Sequence, residues 1–154
     1  FPHSANTFPL CDMLFSTPMT QSEYSALVKD YLLTYHPDFA GTIQYKDDNS
    51  FTCSIKSRKG HLSIWISTCD NEITVGFDDI NGKCDWHTHM SLFNAYEPEE
   101  ELLAMTKLLN AILTDEEPIV FSSKYGYTLT DDAEDDIDKK YHDEIITVNK
   151  WSEL

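Results

Sequence analysis

Hydrophobic residues recur at every third or fourth position in two stretches of the chain, and this spacing predicts two amphipathic helices. The first helix is predicted over residues 20–36, where Thr20 and Glu23 have the spacing of a capping box and a proline follows the last position. The second helix is predicted over residues 98–113, with Pro98 at its first position and glutamates in its first turn. We expect the apolar stripe of each helix to face the protein core.

Between the helices, hydrophobic and polar residues alternate, and a period of two is typical of half-buried strands. Short polar turns separate five such runs, so residues 41–90 predict an antiparallel meander of five strands. After the second helix, runs at 119–121, 125–129 and 145–148 predict two or three further strands. The predicted fold class is therefore α+β: a helix, an antiparallel five-stranded meander, a second helix, then two or three further strands.

The fourth and fifth runs lie in residues 72–90, EITVGFDDINGKCDWHTHM, where an Asn-Gly turn predicts a hairpin. In the fifth run, alternation puts two sets of side chains on opposite faces, Cys84, Trp86, Thr88 and Met90 on one and Lys83, Asp85, His87 and His89 on the other. We expect Trp86 to be largely buried and both histidines to point away from the core.

The length of 154 residues suits one domain with a substantial core, which we assign to residues 20–154. Residues 1–19 lack the basic and apolar segments of a signal peptide, so we expect a processed end, a cloning remnant or a native N-terminal arm. The four cysteines form no Cys-x-x-Cys pair, which disfavours a zinc knuckle. Reduced thiols are the simplest expectation, and they indicate a cytoplasmic protein.

The balance of charge is the most unusual property of the composition. The chain carries 27 acidic and 11 basic residues, which gives a net charge of −16. Nucleic acids and anionic membranes are bound through lysine and arginine, so this balance disfavours both as partners. A cationic protein is the natural complement, because opposite charges accelerate the encounter of two molecules. The alternative is that the acidity only keeps the protein soluble.

Acidic residues are concentrated in one run near the C-terminus, and two tyrosines precede it. The predicted partner-binding residues are Asp131, Asp132, Glu134, Asp135, Asp136, Asp138, Tyr125 and Tyr127. The carboxylates would face lysine and arginine of the partner, and the tyrosines would supply aromatic anchors. The alternatives are a solvated acidic loop and ordinary packing of the tyrosines within a strand. The run lacks the pattern of an EF-hand loop, so we do not expect calcium binding.

A metal site on the fifth strand is the alternative that would make the protein an enzyme. Asp85, His87 and His89 share one face, and two imidazoles about 7 Å apart along a strand recur in metal sites. The string WHTHM resembles the His-x-His-Pro core of JAMM metalloproteases, but Met90 stands at the proline position and no Ser-x-x-Asp follows. Further ligands would have to come from His61, Glu72 or His142. Because none is marked by the sequence, we expect no cofactor and no enzymatic activity.

The order of elements, the hairpin of residues 72–90 and the closing ITVNKW resemble bacterial immunity proteins over most of residues 20–151. These are small cytosolic inhibitors encoded beside the toxins of polymorphic and contact-dependent inhibition systems. The resemblance implies tight binding to a cognate toxin domain, often a nuclease, whose active site the inhibitor covers. A small metal-dependent hydrolase and an acidic adaptor for another basic protein remain the alternatives.

Overall fold

The computed structural model describes residues 17–129 and 143–154, and its helices and strands follow one another in the predicted order. The helices are α1 (Gln21–Tyr35) and α2 (Pro98–Leu113). The strands are β1 (Gln44–Tyr45), β2 (Phe51–Lys56), β3 (Leu62–Ser67), β4 (Thr74–Asp79), β5 (His87–His89), β6 (Ile119–Ser122), β7 (Gly126–Leu129) and β8 (Ile146–Asn149). The short 3₁₀ turns are Pro37–Thr42, Cys69–Asn71, Met90–Phe93 and Trp151–Glu153. The predicted α+β class is confirmed.

Two antiparallel sheets are formed. The larger is a meander in the order β1-β2-β3-β4-β5, as predicted, and the smaller has the order β7-β6-β8. Residues that are opposite each other in an antiparallel pair share a face of the sheet. Ile64 is opposite Phe77 and faces the core, whereas Trp65 is opposite Gly76 on the outer face.

The first turn of α1 satisfies its backbone donors as the capping box predicts. The Thr20 hydroxyl accepts a hydrogen bond from the Glu23 amide at 3.2 Å, and the Glu23 carboxylate accepts one from the Thr20 amide at 2.9 Å. The helix ends at Tyr35, two residues before the proline that cannot continue it. Both predicted helices are therefore confirmed, α2 with the same bounds as the apolar pattern gave.

One continuous core joins both helices to both sheets. Its largest fully buried side chains are Tyr24, Phe39, Phe51, Phe77, Leu32, Leu62, Ile64, Ile66, Ile73, Met90, Met105 and Leu109. Ile119 and Leu129 of the smaller sheet belong to the same cluster, as do Trp151 and Leu154. Among the described residues, no helix is both long enough and apolar enough to span a membrane.

The fifth strand is shorter than the alternating pattern predicted. Residues 80–85 form a loop, and the Trp86 carbonyl accepts one backbone hydrogen bond from the Phe77 amide of β4 at 2.9 Å. The Asp79 carboxylate accepts hydrogen bonds from the amides of Lys83 at 2.8 Å and Cys84 at 3.4 Å, which closes a loop. The Cys84 thiol then donates to the Tyr127 carbonyl at 3.0 Å. Cys84 is thus held against the smaller sheet instead of continuing β5. Trp86 packs against the core side as expected, but it stays partly exposed.

Candidate functional site

The outer face of the larger sheet carries the two histidines that the sequence marked. The indole of Trp65 covers Gly76. A Cβ at position 76 would stand only 2.2 Å from Cζ2 of that ring. The indole Nε1 of Trp65 donates to the Phe77 carbonyl at 3.3 Å. The glycine is therefore required by the close approach of the ring, and the ring is fixed at the centre of the face.

His87 and His89 stand beside this tryptophan, on the side of β5 predicted for them. Their ring centroids are 5.4 Å apart with perpendicular planes, and the His87 centroid is 6.3 Å from that of Trp65. Together with Ser67 and Thr74 these three rings line a shallow depression of about 230 Å³. We call these five residues the histidine face.

His89 is held by polar neighbours, whereas His87 is exposed. Nδ1 of His89 lies 2.9 Å from the Thr74 hydroxyl and 3.6 Å from a carboxylate oxygen of Glu72. The other oxygen of Glu72 accepts a hydrogen bond from the Ser91 hydroxyl at 2.5 Å. The structure thus brings Glu72, one of the further ligands considered for a metal, to His89.

The predicted metal ligands do not assemble into a site. Nδ1 of His87 lies 3.0 Å from the backbone carbonyl oxygen of Asp85, so Asp85 contacts His87 through its backbone. Across residues 17–129 and 143–154, no three histidine, cysteine, aspartate or glutamate side chains are grouped as metal ligands would be. His142 lies outside the described residues. The donor set of the histidine face therefore does not fit a catalytic metal.

The predicted partner-binding residues divide into two groups. The run Asp131, Asp132, Glu134, Asp135, Asp136 and Asp138 lies outside the described residues, so its role stays a prediction. Tyr127 packs on Phe121, with ring centroids 5.0 Å apart, and burial raises the pKa of its hydroxyl. Tyr125 is largely exposed in the turn before β7. Tyr127 is thus packed within the smaller sheet, Tyr125 presents its ring to solvent, and a role of either tyrosine in binding stays a prediction.

A second surface combines exposed apolar residues with the leading glutamates of the helix at 98–113, which from the sequence are the next binding candidates after the acidic run. Between β5 and the second turn of α2, four large apolar side chains are exposed: Leu92 by 73%, Phe93 by 52%, Tyr96 by 74% and Leu103 by 64%. Exposed glutamates accompany them at Glu97, Glu99 and Glu100. We call these seven residues the α2 patch. The available signal was the string SLFNAYEPEE, whose large apolar residues follow neither a helical nor a strand period.

A buried carboxylate lies directly behind this surface. Glu101 accepts a hydrogen bond from the Tyr24 hydroxyl at 2.6 Å and another from the Ile73 amide at 3.2 Å. Burial raises the pKa of Glu101, although both hydrogen bonds oppose that shift. These two hydrogen bonds lie in the core and link α2 to α1 and to the larger sheet.

Comparisons with known proteins identify no relative. No protein-family model, no curated protein and no solved structure matches this chain.

Proposed function

We propose that this chain is a non-enzymatic binding protein that neutralises a basic toxin domain by covering its active site, in the manner of bacterial immunity proteins. The observation that carries the proposal is the excess of 27 acidic over 11 basic residues. Even if every lysine and arginine paired with a carboxylate of the same chain, 16 of the 27 acidic residues would have no basic residue to pair with. Those that are exposed are available to a partner that brings its own positive charge.

Charge of this sign and size suits an inhibitor of a nucleic-acid-cleaving enzyme. A nuclease attracts its substrate with lysine and arginine around the active site, because the substrate backbone is uniformly negative. A protein with a strong negative field is drawn to the same residues, and complementary fields raise association rates well above those of neutral pairs. The proposed partner is therefore a toxin domain with a basic active-site surface.

The histidine face gives less support to the hydrolase alternative. His89 has one carboxylate within 4 Å, and the only link between His87 and Asp85 that the structure describes is through the backbone. A catalytic zinc site needs three protein ligands converging on one position. The polar contacts of His89 are instead those of a side chain fixed on the outer surface of a sheet.

Inhibition of a neighbouring toxin is the experiment that tests this function. The toxin domain encoded beside the gene for this protein is expressed, and its activity is measured with increasing amounts of the purified chain. We expect activity to fall to background at one equivalent, with a 1:1 complex in size-exclusion chromatography. An unrelated protein of similar size and net charge is the matched control and should not inhibit. Full toxin activity at a large excess of the chain contradicts the proposal.

A further inference from the structure

The α2 patch is exposed although the backbone that carries it is firmly anchored. Met90 and Ala95, which flank Leu92 and Phe93, are buried in the core. The large apolar side chains between these anchors could have turned inward only at the expense of residues already packed there. Their exposure is therefore a property of a fixed segment, and an exposed apolar cluster on a fixed segment is typical of a docking surface.

Hydrogen bonds hold the acidic part of the patch in the same way. The Glu100 carboxylate accepts from the amides of Tyr96 at 2.9 Å and Glu97 at 3.2 Å, and these two bonds lower its pKa. The carboxylate of Glu100 is thus ionised and fixed at the start of α2. Leu103 follows Glu99 and Glu100 by one helical turn, so it extends the apolar cluster along the exposed side of α2. A surface that is ordered before binding loses less conformational entropy when the partner docks.

Charge determines which kind of partner this surface fits. The α2 patch contains three exposed glutamates and no lysine or arginine, and the next base along α2 is Lys107, one turn beyond Leu103. A partner that docks on the apolar cluster therefore meets carboxylates at the start of α2. The complementary surface has apolar residues at its centre and lysine or arginine around them, which is the arrangement of strong protein–protein interfaces.

We propose that the α2 patch is the surface through which this protein binds the basic toxin domain, an inference that rests on the proposed function. Phe93, Tyr96 and Leu103 supply the apolar anchors, and Glu99 supplies a rim charge that steers association. This surface shares no residue with the histidine face or with the acidic run at 131–138. The partner contributes a basic protein surface with an exposed apolar centre.

Substitutions within and outside the patch test this assignment on the purified toxin domain. We expect Phe93→Ala and Tyr96→Ala to raise the dissociation constant about tenfold to a hundredfold each, because anchors of this type dominate interface energies. Ile80→Ala is the matched control, since Ile80 is 81% exposed on the β4–β5 connection, outside the patch. Glu99→Gln should slow association more than Glu116→Gln, which removes an exposed carboxylate elsewhere. If Phe93→Ala, Tyr96→Ala and Glu99→Gln all bind like the wild type, the patch assignment is wrong while the proposed function stands.

A titration that does not need the toxin separates the two proposals. The ¹⁵N-labelled chain is titrated with a synthetic amphipathic peptide of lysine, arginine and leucine, and with a lysine–glycine peptide of equal charge as control. We expect the amphipathic peptide to shift the amide signals of residues 92–103 most, and the control peptide to shift signals around many carboxylates weakly. Strongest shifts elsewhere, or no shifts, overturn the patch assignment. If the toxin domain does not bind at all, the proposed function fails. This titration alone then tests whether the α2 patch binds a basic surface with an apolar centre.

Discussion

Glu101 is one of three buried acids among the described residues, together with Asp79 and Glu144. Its two hydrogen-bond donors, the Tyr24 hydroxyl and the Ile73 amide, come from α1 and from the residue just before β4. Burial raises its pKa above the ordinary 4.5, and the nearby Glu72 carboxylate adds to the shift. The folded state therefore binds a proton at Glu101 more tightly than the unfolded state does.

Replacing Glu101 by glutamine tests this pKa shift. The proton bound more tightly in the folded state stabilises the wild type fully below pH 4.5, and that contribution is lost as the pH rises through the raised pKa. We therefore expect the free energy of unfolding of the wild type, relative to Glu101→Gln, to decrease from below pH 4.5 towards neutrality. Urea denaturation at several pH values measures this difference. Glu116→Gln controls for the change in net charge.

The hydrogen bond from Tyr24 provides the second arm of the same test. Tyr24→Phe leaves the buried carboxylate short of one donor and should lower the free energy of unfolding by about 1–3 kcal/mol at neutral pH. Because that bond opposes the pKa shift, its removal should make the pH dependence steeper. A pH-independent difference between wild type and Glu101→Gln would contradict a raised pKa for this carboxyl group.

The position of Glu101 in the sequence explains why a different role, at the helix dipole, was predicted for it. A glutamate in the first turn of a helix complements the helix dipole, and the pattern contains nothing that separates Glu101 from Glu99 or Glu100. Its partner, Tyr24, is 77 residues away along the chain. A contact over that separation is fixed by tertiary packing and has no local signature, so the buried role could not be predicted.

At the scale of elements, Trp65 and Gly76 connect two neighbouring strands on the outer face of the larger sheet. The ring occupies the space that any side chain at position 76 would need. Gly76→Ala should therefore lower the free energy of unfolding by about 1–3 kcal/mol, since the indole must move from its site. In a Trp65→Thr background the same substitution should be nearly neutral, which gives a coupling energy of about 0.5–3 kcal/mol.

Urea denaturation of the four proteins in this double-mutant cycle measures the coupling. Gly60→Ala is a useful comparison, because no atom lies within 4 Å of a Cβ built at position 60. Its φ is +76°, so any loss of stability on this substitution comes from backbone strain. That loss should be the same with and without Trp65. If Gly76→Ala is equally destabilising in both backgrounds, the Trp65 ring is not the reason why position 76 requires glycine.

Elements with local signatures were predicted well. The capping box at Thr20, the proline at the start of α2 and the alternation in β2 to β4 are each set by residues close together in the sequence, and all are confirmed. The short β5 was not predicted, because the loop before it is held by the Asp79 carboxylate and by the contact of Cys84 with the smaller sheet. Alternation of side chains cannot reveal such contacts between distant segments.

At the scale of the whole molecule, the sequence predicted an acidic binding protein with its binding residues around the run at 131–138, and the folded structure adds the α2 patch that we propose. The α2 patch depends on which apolar residues remain outside the core, and only the folded structure decides that. The acidic run at 131–138 lies outside the described residues, so its part in binding stays a prediction. Replacement of its six acids by asparagine and glutamine, measured beside the α2 patch variants, compares the two surfaces directly.

The salt dependence of association with the proposed toxin domain tests the central claim most directly, because a basic partner is attracted by a net charge of −16. Stopped-flow or surface-based kinetics give the association rate constant from about 0.01 M to about 1 M salt, over which the Debye length shortens from about 30 Å to about 3 Å. We predict a decrease of about tenfold or more, with a much smaller change in the dissociation rate constant. An association rate constant that does not change with salt, or that increases, would contradict the account of this protein as an inhibitor of a basic toxin domain.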